Sequence, residues 1–222
     1  PHELPDRARR RRAAARGGAR TLLVERWGFL GGAATAGAVG QFVGWETAAG
    51  RRVIGGLGAE LARRLTTAGI ADGHGHFTMS TGHRMDRVNY EPEALKGALD
   101  DWMAEAGVTV LFHAAIAEVL LERRAIHAVR LLTRGGMLEI RPRIVVDASG
   151  ELDLMARAGA AFLPLDAGES LQPATLMFRF GPLDWAAFEA IPAAERAALA
   201  RRGALGGRDR LCLLYTSPSP RD

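Results

Sequence analysis

The sequence predicts an α/β fold in which buried parallel strands alternate with helices and an antiparallel β-meander is inserted as a crossover. Three observations carry this reading. Two short apolar runs that each end in an acid, Thr21-Leu-Leu-Val-Glu25 and Arg143-Ile-Val-Val-Asp147, have the composition of buried parallel strands. Between them lie stretches whose apolar residues recur at helical spacing. Three β-type runs, Ile116–Leu121, Ile126–Leu132 and Met137–Ile140, follow one another through short Arg- and Gly-containing connections, which is the pattern of a meander.

Taken in order, Ala13 to Arg16 followed by Gly17-Gly18 reads as the last turn of a helix with a glycine stop. The strand to Glu25 follows. Gly28, Gly31, Gly32, Gly37 and Gly40 then make a loop in which backbone approaches something closely. Leu57, Leu61 and Leu65 mark a helix closed by Gly69, and residues 71–88 read as a long polar loop. Pro92 opens a second helix, with Leu95, Leu99, Trp102 and Met103 on one face and Gly107 at its end. Val108–Phe112 is a strand, and the meander leads to the strand ending at Asp147. A helix to about Gly159, a strand over Ala174–Phe180 and a helical stretch capped by Asp184 and broken at Pro192 complete the pattern.

Composition bounds the function. Apolar residues make up 48% of the chain, ample for a packed core. The net charge is +4, with Lys96 the only lysine, and outside Arg7 and Arg9–Arg12 the arginines are interspersed with acids. No aromatic-interleaved basic face is present, so no nucleic-acid partner is expected. Cys212 is the only cysteine, which excludes a disulfide framework and a cysteine metal site. No apolar run has the length of a membrane span and no secretory signal pattern is present, so a cytoplasmic protein without a membrane partner is expected. Residues 1–12 have no apolar period. The end, Leu211-Cys-Leu-Leu-Tyr-Thr-Ser-Pro-Ser-Pro-Arg-Asp222, resembles the translated adapter read-through of a metagenomic fragment. Neither end is assigned a function. The expected division is 1–12 aberrant or unstructured, 13–165 a cofactor-binding domain, 166–210 the start of a substrate domain and 211–222 a non-native tail.

The informative element is the acid at the end of an apolar strand, where dinucleotide folds place the carboxylate that receives ribose hydroxyls. Taken alone, Glu25 is an ordinary strand-end glutamate. Its setting is more specific: Ala15-Arg-Gly-Gly-Ala-Arg-Thr-Leu-Leu-Val-Glu25-Arg-Trp-Gly-Phe-Leu-Gly31-Gly32-Ala-Ala-Thr35-Ala-Gly37 resembles the FAD-dependent oxidoreductases of the glutathione-reductase-like FAD/NAD(P)-binding fold. The likeness continues at Tyr90-Glu-Pro-Glu-Ala-Leu-Lys96, at Asp147-Ala-Ser-Gly150-Glu-Leu-Asp153-Leu-Met-Ala-Arg-Ala-Gly159 and at Leu171-Gln-Pro-Ala-Thr-Leu-Met-Phe-Arg179. Ser149, Glu151 and Leu152 depart from that family's Asp-Ala-Thr-Gly-Asp-Gly-Asp segment.

The resemblance implies a Rossmann-like FAD-binding domain and hydride transfer between a small organic substrate and FAD. It implies that Glu25 holds the adenosine ribose with Arg26 beside it. Gly31, Gly32 and Thr35 would line the path from pyrophosphate to flavin. Ile116 would meet the adenine through its backbone, Ser149 and Gly150 would close the turn over the dinucleotide, and Asp153 would lie just beyond. The family's first strand and Gly-x-Gly-x-x-Gly loop should precede Ala13, yet residues 1–12 contain no glycine. The chain is therefore expected to hold FAD weakly or not at all and to be inactive by itself.

An NAD(P)-binding oxidoreductase would use the same Glu25 contact, but a glycine pair placed after the acid follows the flavin order. A basic non-catalytic module or an inactive fragment is the alternative from a different class. His74, His76 and His83 form the only histidine cluster. They lack a third-ligand spacing and read as solvated loop residues, so no metal is expected. His113 and His127 read as partly buried packing residues in strands. Asp147-Ala-Ser149-Gly150 is not a nucleophile elbow. Arg179 meets either an anionic substrate or a surface acid. No catalytic acid or base is named.

Overall fold

The computed structural model describes residues 14–162, apart from 16, 48 and 79–83, and beyond them 177, 184–192, 194–196 and 198. The described residues up to Phe162 belong to one compact unit and those from Met177 onward to a second. Residues 1–12 and 211–222, His83, Arg179, Cys212 and almost all of the strand expected over 174–180 lie outside the described residues.

In the first unit, Ala14 and Ala15 end a helical turn, and Gly18, at φ 82°, turns the chain into β1 (Leu22–Val24). This strand pairs in parallel with β5 (Thr109–Leu111), Leu23 opposite Val110. The ladder extends past both strand ends: Glu25 N–H donates to Leu111 C=O at 2.9 Å and Ala114 N–H to Glu25 C=O at 3.1 Å. Leu23 is fully buried, as a two-faced parallel strand requires.

The helices lie where the spacing predicts them. α1 (Gly56–Thr67) buries Leu61, Ala62 and Leu65 and stops at Gly69, φ 68°. α2 (Pro92–Glu105) begins with proline at its first position, and the Glu91 carboxylate caps it by accepting from Ala94 N–H at 2.7 Å. Its buried stripe of Leu95, Leu99, Trp102 and Met103 joins Leu23, Phe42, Trp45 and Val88 in the main core. Each such side chain contributes about 1.5–3 kcal/mol by leaving water.

Residues 71–88 are not the long loop the sequence suggests. They form a second sheet with β3 (Ala71–Thr78), β4 (Arg84–Tyr90) and the short β2 (Gln41–Val43), antiparallel in the order β2-β4-β3. Gly73, His74, Gly75 and His76 have little intrinsic strand preference. The pattern is carried by β4, which turns Asp86, Val88 and Tyr90 to its buried face and supplies β3 with a ladder.

The meander is β6 (Ala115–Glu122), β7 (Ala125–Thr133) and β8 (Gly136–Ile140), antiparallel in chain order. Its register sets Arg130 opposite both Glu118 and Glu139, and the guanidinium donates to the two carboxylates at 2.8 and 3.1 Å. One face buries Val119, Val129 and Leu131 with Leu154 of α3 (Asp153–Arg157).

The strand expected over 143–147 does not form. Among the described residues no strand pairs with it, and a backbone without a ladder partner gains nothing from extending. Ile144 is consequently 83% exposed. Val145 still packs into the meander cluster.

In the second unit, α4 (Trp185–Ala190) starts at Asp184, whose Oδ1 accepts from Ala187 N–H at 2.9 Å, and ends before Pro192. Both features match the sequence reading.

Candidate functional site

In open α/β sheets, ligands bind beyond the carboxyl ends of the parallel strands. That end of β1 and β5 is where the predicted site residues begin. Glu25 follows β1 directly and is only 1% exposed. Its Oε1 accepts the backbone N–H of Trp27 at 3.1 Å, so the acid is fixed by the turn it opens. Arg26 projects outward with its guanidinium 5.5 Å from the centre of the Trp27 indole, and Trp27 is itself 46% exposed. His113 backs this turn. Its N–H donates to Trp27 C=O, and its ring lies where a side chain on Gly28 would go, 2.8 Å from an added β-carbon.

The glycine loop continues from there. Gly31 sits at φ 116° and Gly32 at φ 53°, leading into a single 3-10 turn over Gly32–Ala34. A β-carbon on Gly31 would lie 2.5 Å from Thr35 Oγ1. Thr35 is buried, and its hydroxyl donates to Leu30 C=O at 2.7 Å, so its side chain staples the loop from within. The turn uses the N–H groups of Ala34 and Thr35. Those of Gly31, Gly32 and Ala33 have no hydrogen-bond acceptor among the described residues. Three successive amides left open in a glycine turn are a donor set for phosphate or carbonyl oxygen.

Ile116 lies on β6, half-buried and opposite Leu131. Ala114, two residues before it, donates to Glu25 C=O, which ties the start of β6 to the strand end that carries the acid. The segment 147–153 is a self-capped turn. Asp147 Oδ1 accepts from the N–H and the hydroxyl of Ser149 at 2.9 and 2.7 Å, and its Oδ2 accepts from the N–H groups of Leu154 and Met155 at 3.0 Å. Burial alone would raise the Asp147 pKa. The donors from Ser149, Met155 and Leu154 outweigh it and hold the carboxyl below the usual range. Ser149 Oγ also accepts Asp153 N–H at 2.8 Å, and Gly150 turns at φ 85°. Asp153 pairs with Arg157 one turn on. Leu154, Val24 and Leu111 share one apolar cluster, which attaches this turn to the β1–β5 end.

Sequence reasoning missed three contributors. In the sequence Asp147 is one letter of a motif, whereas in the fold it is the group that caps α3. Tyr90 belongs to a recognised block without a role, and its hydroxyl lies within hydrogen-bond reach of the carbonyls of Ala34 and Val39 behind the glycine loop. The buried Asp86 accepts from the N–H groups of Trp45 and Glu46. Nothing in spacing marks a side chain that serves the backbone of a distant segment.

The histidine expectations need correction. His74 and His76 stand on β3, not in a loop, where His74 meets Arg52 and His76 lies 3.3 Å from Glu46. Burial and the Arg52 charge lower the His74 pKa. His113 lies just past β5 and His127 on β7, and both are exposed and not partly buried, although the His113 ring lies beside Gly28. Among the described residues no group of His, Cys, Asp and Glu is arranged to hold a metal, and no helix is long and apolar enough to cross a membrane.

A parallel strand ending in a buried acid, a glycine loop with open amides and an antiparallel crossover define a dinucleotide-binding domain of the FAD/NAD(P) type. The FAD dependent oxidoreductase family matches residues 12–210, and the chain belongs to that family. FAD is therefore its cofactor, and the Glu25 carboxylate with the amides of residues 31–33 is a donor and acceptor set that suits it.

Similar solved structures include the THI4 protein of Thermovibrio ammonificans, at 18% identity and TM-score 0.46, over 71% of this chain and 60% of that one. The myxobacterial chondrochloren halogenase CndH, a variant of FAD-dependent halogenases, is 22% identical over 65% of this chain and 35% of its own, with TM-score 0.47. The glycerol-3-phosphate dehydrogenase from Bacillus halodurans, solved with FAD, is 12% identical over 60% and 30%, with TM-score 0.38. The chain thus spans 60%, 35% and 30% of these three solved chains. No curated protein matches it.

Proposed function

We propose that this chain supplies the nucleotide half of the cofactor site in an enzyme that transfers a hydride between a small organic substrate and FAD. The observation that carries this reading is the pairing of Glu25, fixed at the end of β1, with the open amides of Gly31, Gly32 and Ala33 a few residues later. Glu25 accepts the hydroxyls of the adenosine ribose, and Arg26 flanks them. Gly31 and Gly32 turn their N–H groups toward the oxygens between pyrophosphate and flavin, and Thr35 keeps that turn closed. The backbone at Ile116 borders the adenine. Ser149 and Gly150 cover the dinucleotide, held in shape by Asp147, with Asp153 beyond them. When bound, FAD supplies the redox chemistry, and the protein supplies placement and electrostatics.

The test is a titration of the purified chain with FAD into the millimolar range, followed by flavin fluorescence, for the wild type and Glu25→Gln. Saturable binding that weakens roughly tenfold in the variant supports the reading, since a hydrogen bond to a charged group is worth about 1.5–3 kcal/mol. Binding that is indifferent to the substitution sinks the assignment of Glu25. Anaerobic addition of candidate substrates to the FAD-loaded protein, with bleaching of the visible flavin absorption as readout, tests the hydride transfer.

A further inference from the structure

We infer that Tyr90 is a positioning residue for the cofactor loop: through the carbonyls of Ala34 and Val39 it sets the geometry of the Gly31–Ala33 amides without touching the cofactor. The inference rests on the reading above, that these amides face FAD.

Tyr90 ends β4, and its ring stacks on Phe42 of β2 with centroids 4.2 Å apart. Its backbone N–H donates to Gly40 C=O at 3.0 Å. Its hydroxyl, in a buried side chain, lies within hydrogen-bond reach of two carbonyls, Ala34 at 3.3 Å and Val39, which share its one proton. One residue therefore grips both ends of the segment from Ala34 to Gly40. Without the phenol, the buried carbonyl of Ala34 and the partly buried carbonyl of Val39 would lose their shared donor, and buried backbone acceptors are seldom left so. Burial raises the phenol pKa further above its ordinary value, so the hydroxyl keeps its proton and stays a donor.

The link from this grip to the amides is short. Ala34 closes the 3-10 turn by donating its N–H to Gly31 C=O, and Thr35 donates to Gly32 C=O. The peptide whose carbonyl Tyr90 holds is thus the last of the turn whose first three N–H groups stand open. Because the N–H groups of Ala34 and Thr35 bond back to the carbonyls of Gly31 and Gly32, holding one end of this single turn restrains the other. Thr35 braces the turn internally through Leu30, whereas Tyr90 ties it to the second sheet. The glycine loop is preorganised by a strand 50 residues away in sequence, as the separations of 56 and 51 residues in these two hydrogen bonds record.

The experiment compares Tyr90→Phe, which keeps the ring stack and removes the hydroxyl, with Leu65→Val, a core change in α1, using FAD titration and thermal unfolding on the full chain. Tyr90→Phe is expected to weaken FAD binding roughly fivefold, the weight of about one net hydrogen bond, while Leu65→Val lowers the unfolding temperature and leaves affinity within about twofold. If Tyr90→Phe lowers stability but not affinity, Tyr90 is a packing residue and the inference is overturned. Failure of the wild type to bind FAD, or indifference to Glu25→Gln, would instead remove the reading beneath it. A measurement on the unmutated chain stands beside these. Tyr90 and Tyr215 are the two tyrosines, so fluorotyrosine labelling gives two signals that Tyr215→Phe assigns. The Tyr90 signal is expected to shift on saturation with FAD, and a signal that stays still contradicts the coupling.

Discussion

The backbone N–H of Trp27 donates to Oε1 of Glu25 at 3.1 Å, so the carboxylate at the end of β1 is held by the residue that begins the turn away from it. This is a local contact over two residues, and its consequence is orientation. A carboxylate pinned by its own turn has a defined orientation, and lengthening or shortening the turn would lose it.

The glycine loop makes a graded prediction. At Gly31 a β-carbon would collide with Thr35 at 2.5 Å and the backbone is left-handed, whereas at Gly32 the backbone is also left-handed but the space is open. Gly32→Ala should cost about 1–2 kcal/mol, the left-handed penalty alone. Gly31→Ala should cost more, on the order of 1–3 kcal/mol from the strained backbone plus the clash with Thr35. Chemical denaturation measures both, and equal losses would count against the packing of Thr35 under Gly31.

Asp147 should act as a helix cap with an acid limb. Its folded pKa is depressed, so its contribution is fully present above the ordinary aspartate value of about 3.9 and is lost as pH falls through the lower folded value. Asp147→Ala is expected to cost about 1 kcal/mol near neutrality. The variant should also lose part of the stability decline below about pH 4. An unchanged acid limb in urea unfolding would show that Asp147 does not carry it.

His74 should set a second pH window. Burial and Arg52 lower its folded pKa, so the neutral ring is favoured in the fold. Stability is expected to be complete above about pH 6.5 and to fall as pH drops from there through the folded pKa. His74→Gln should flatten that decline, and proton NMR of the imidazole should find its pKa below the ordinary value. A raised value would reverse the sign.

Much of the first unit is legible in the sequence, because helices and the meander report themselves through local spacing. Leu95, Leu99 and Trp102 mark α2 by period, and Arg123-Arg124 and Gly135-Gly136 mark the meander turns by composition. The second sheet is not legible, since β3 is rich in glycine and histidine and exists through its pairing with β4. The segment 143–147 errs the other way. Its composition is that of a strand, but a strand needs a partner, and composition carries no record of one. In the site, Glu25 and the glycines are visible as motif letters. The supports given by Tyr90 and Asp147 are not, because they run from side chain to backbone.

The most direct test of the ribose contact pairs a protein change with a ligand change: FAD against an analogue lacking the adenosine 2′-hydroxyl, each titrated into the wild type and Glu25→Gln. If Glu25 holds that ribose, the wild type prefers FAD by roughly tenfold or more and the variant loses the preference, because the two changes remove the same hydrogen bond. Equal preference in both proteins would contradict the account and send the ribose elsewhere.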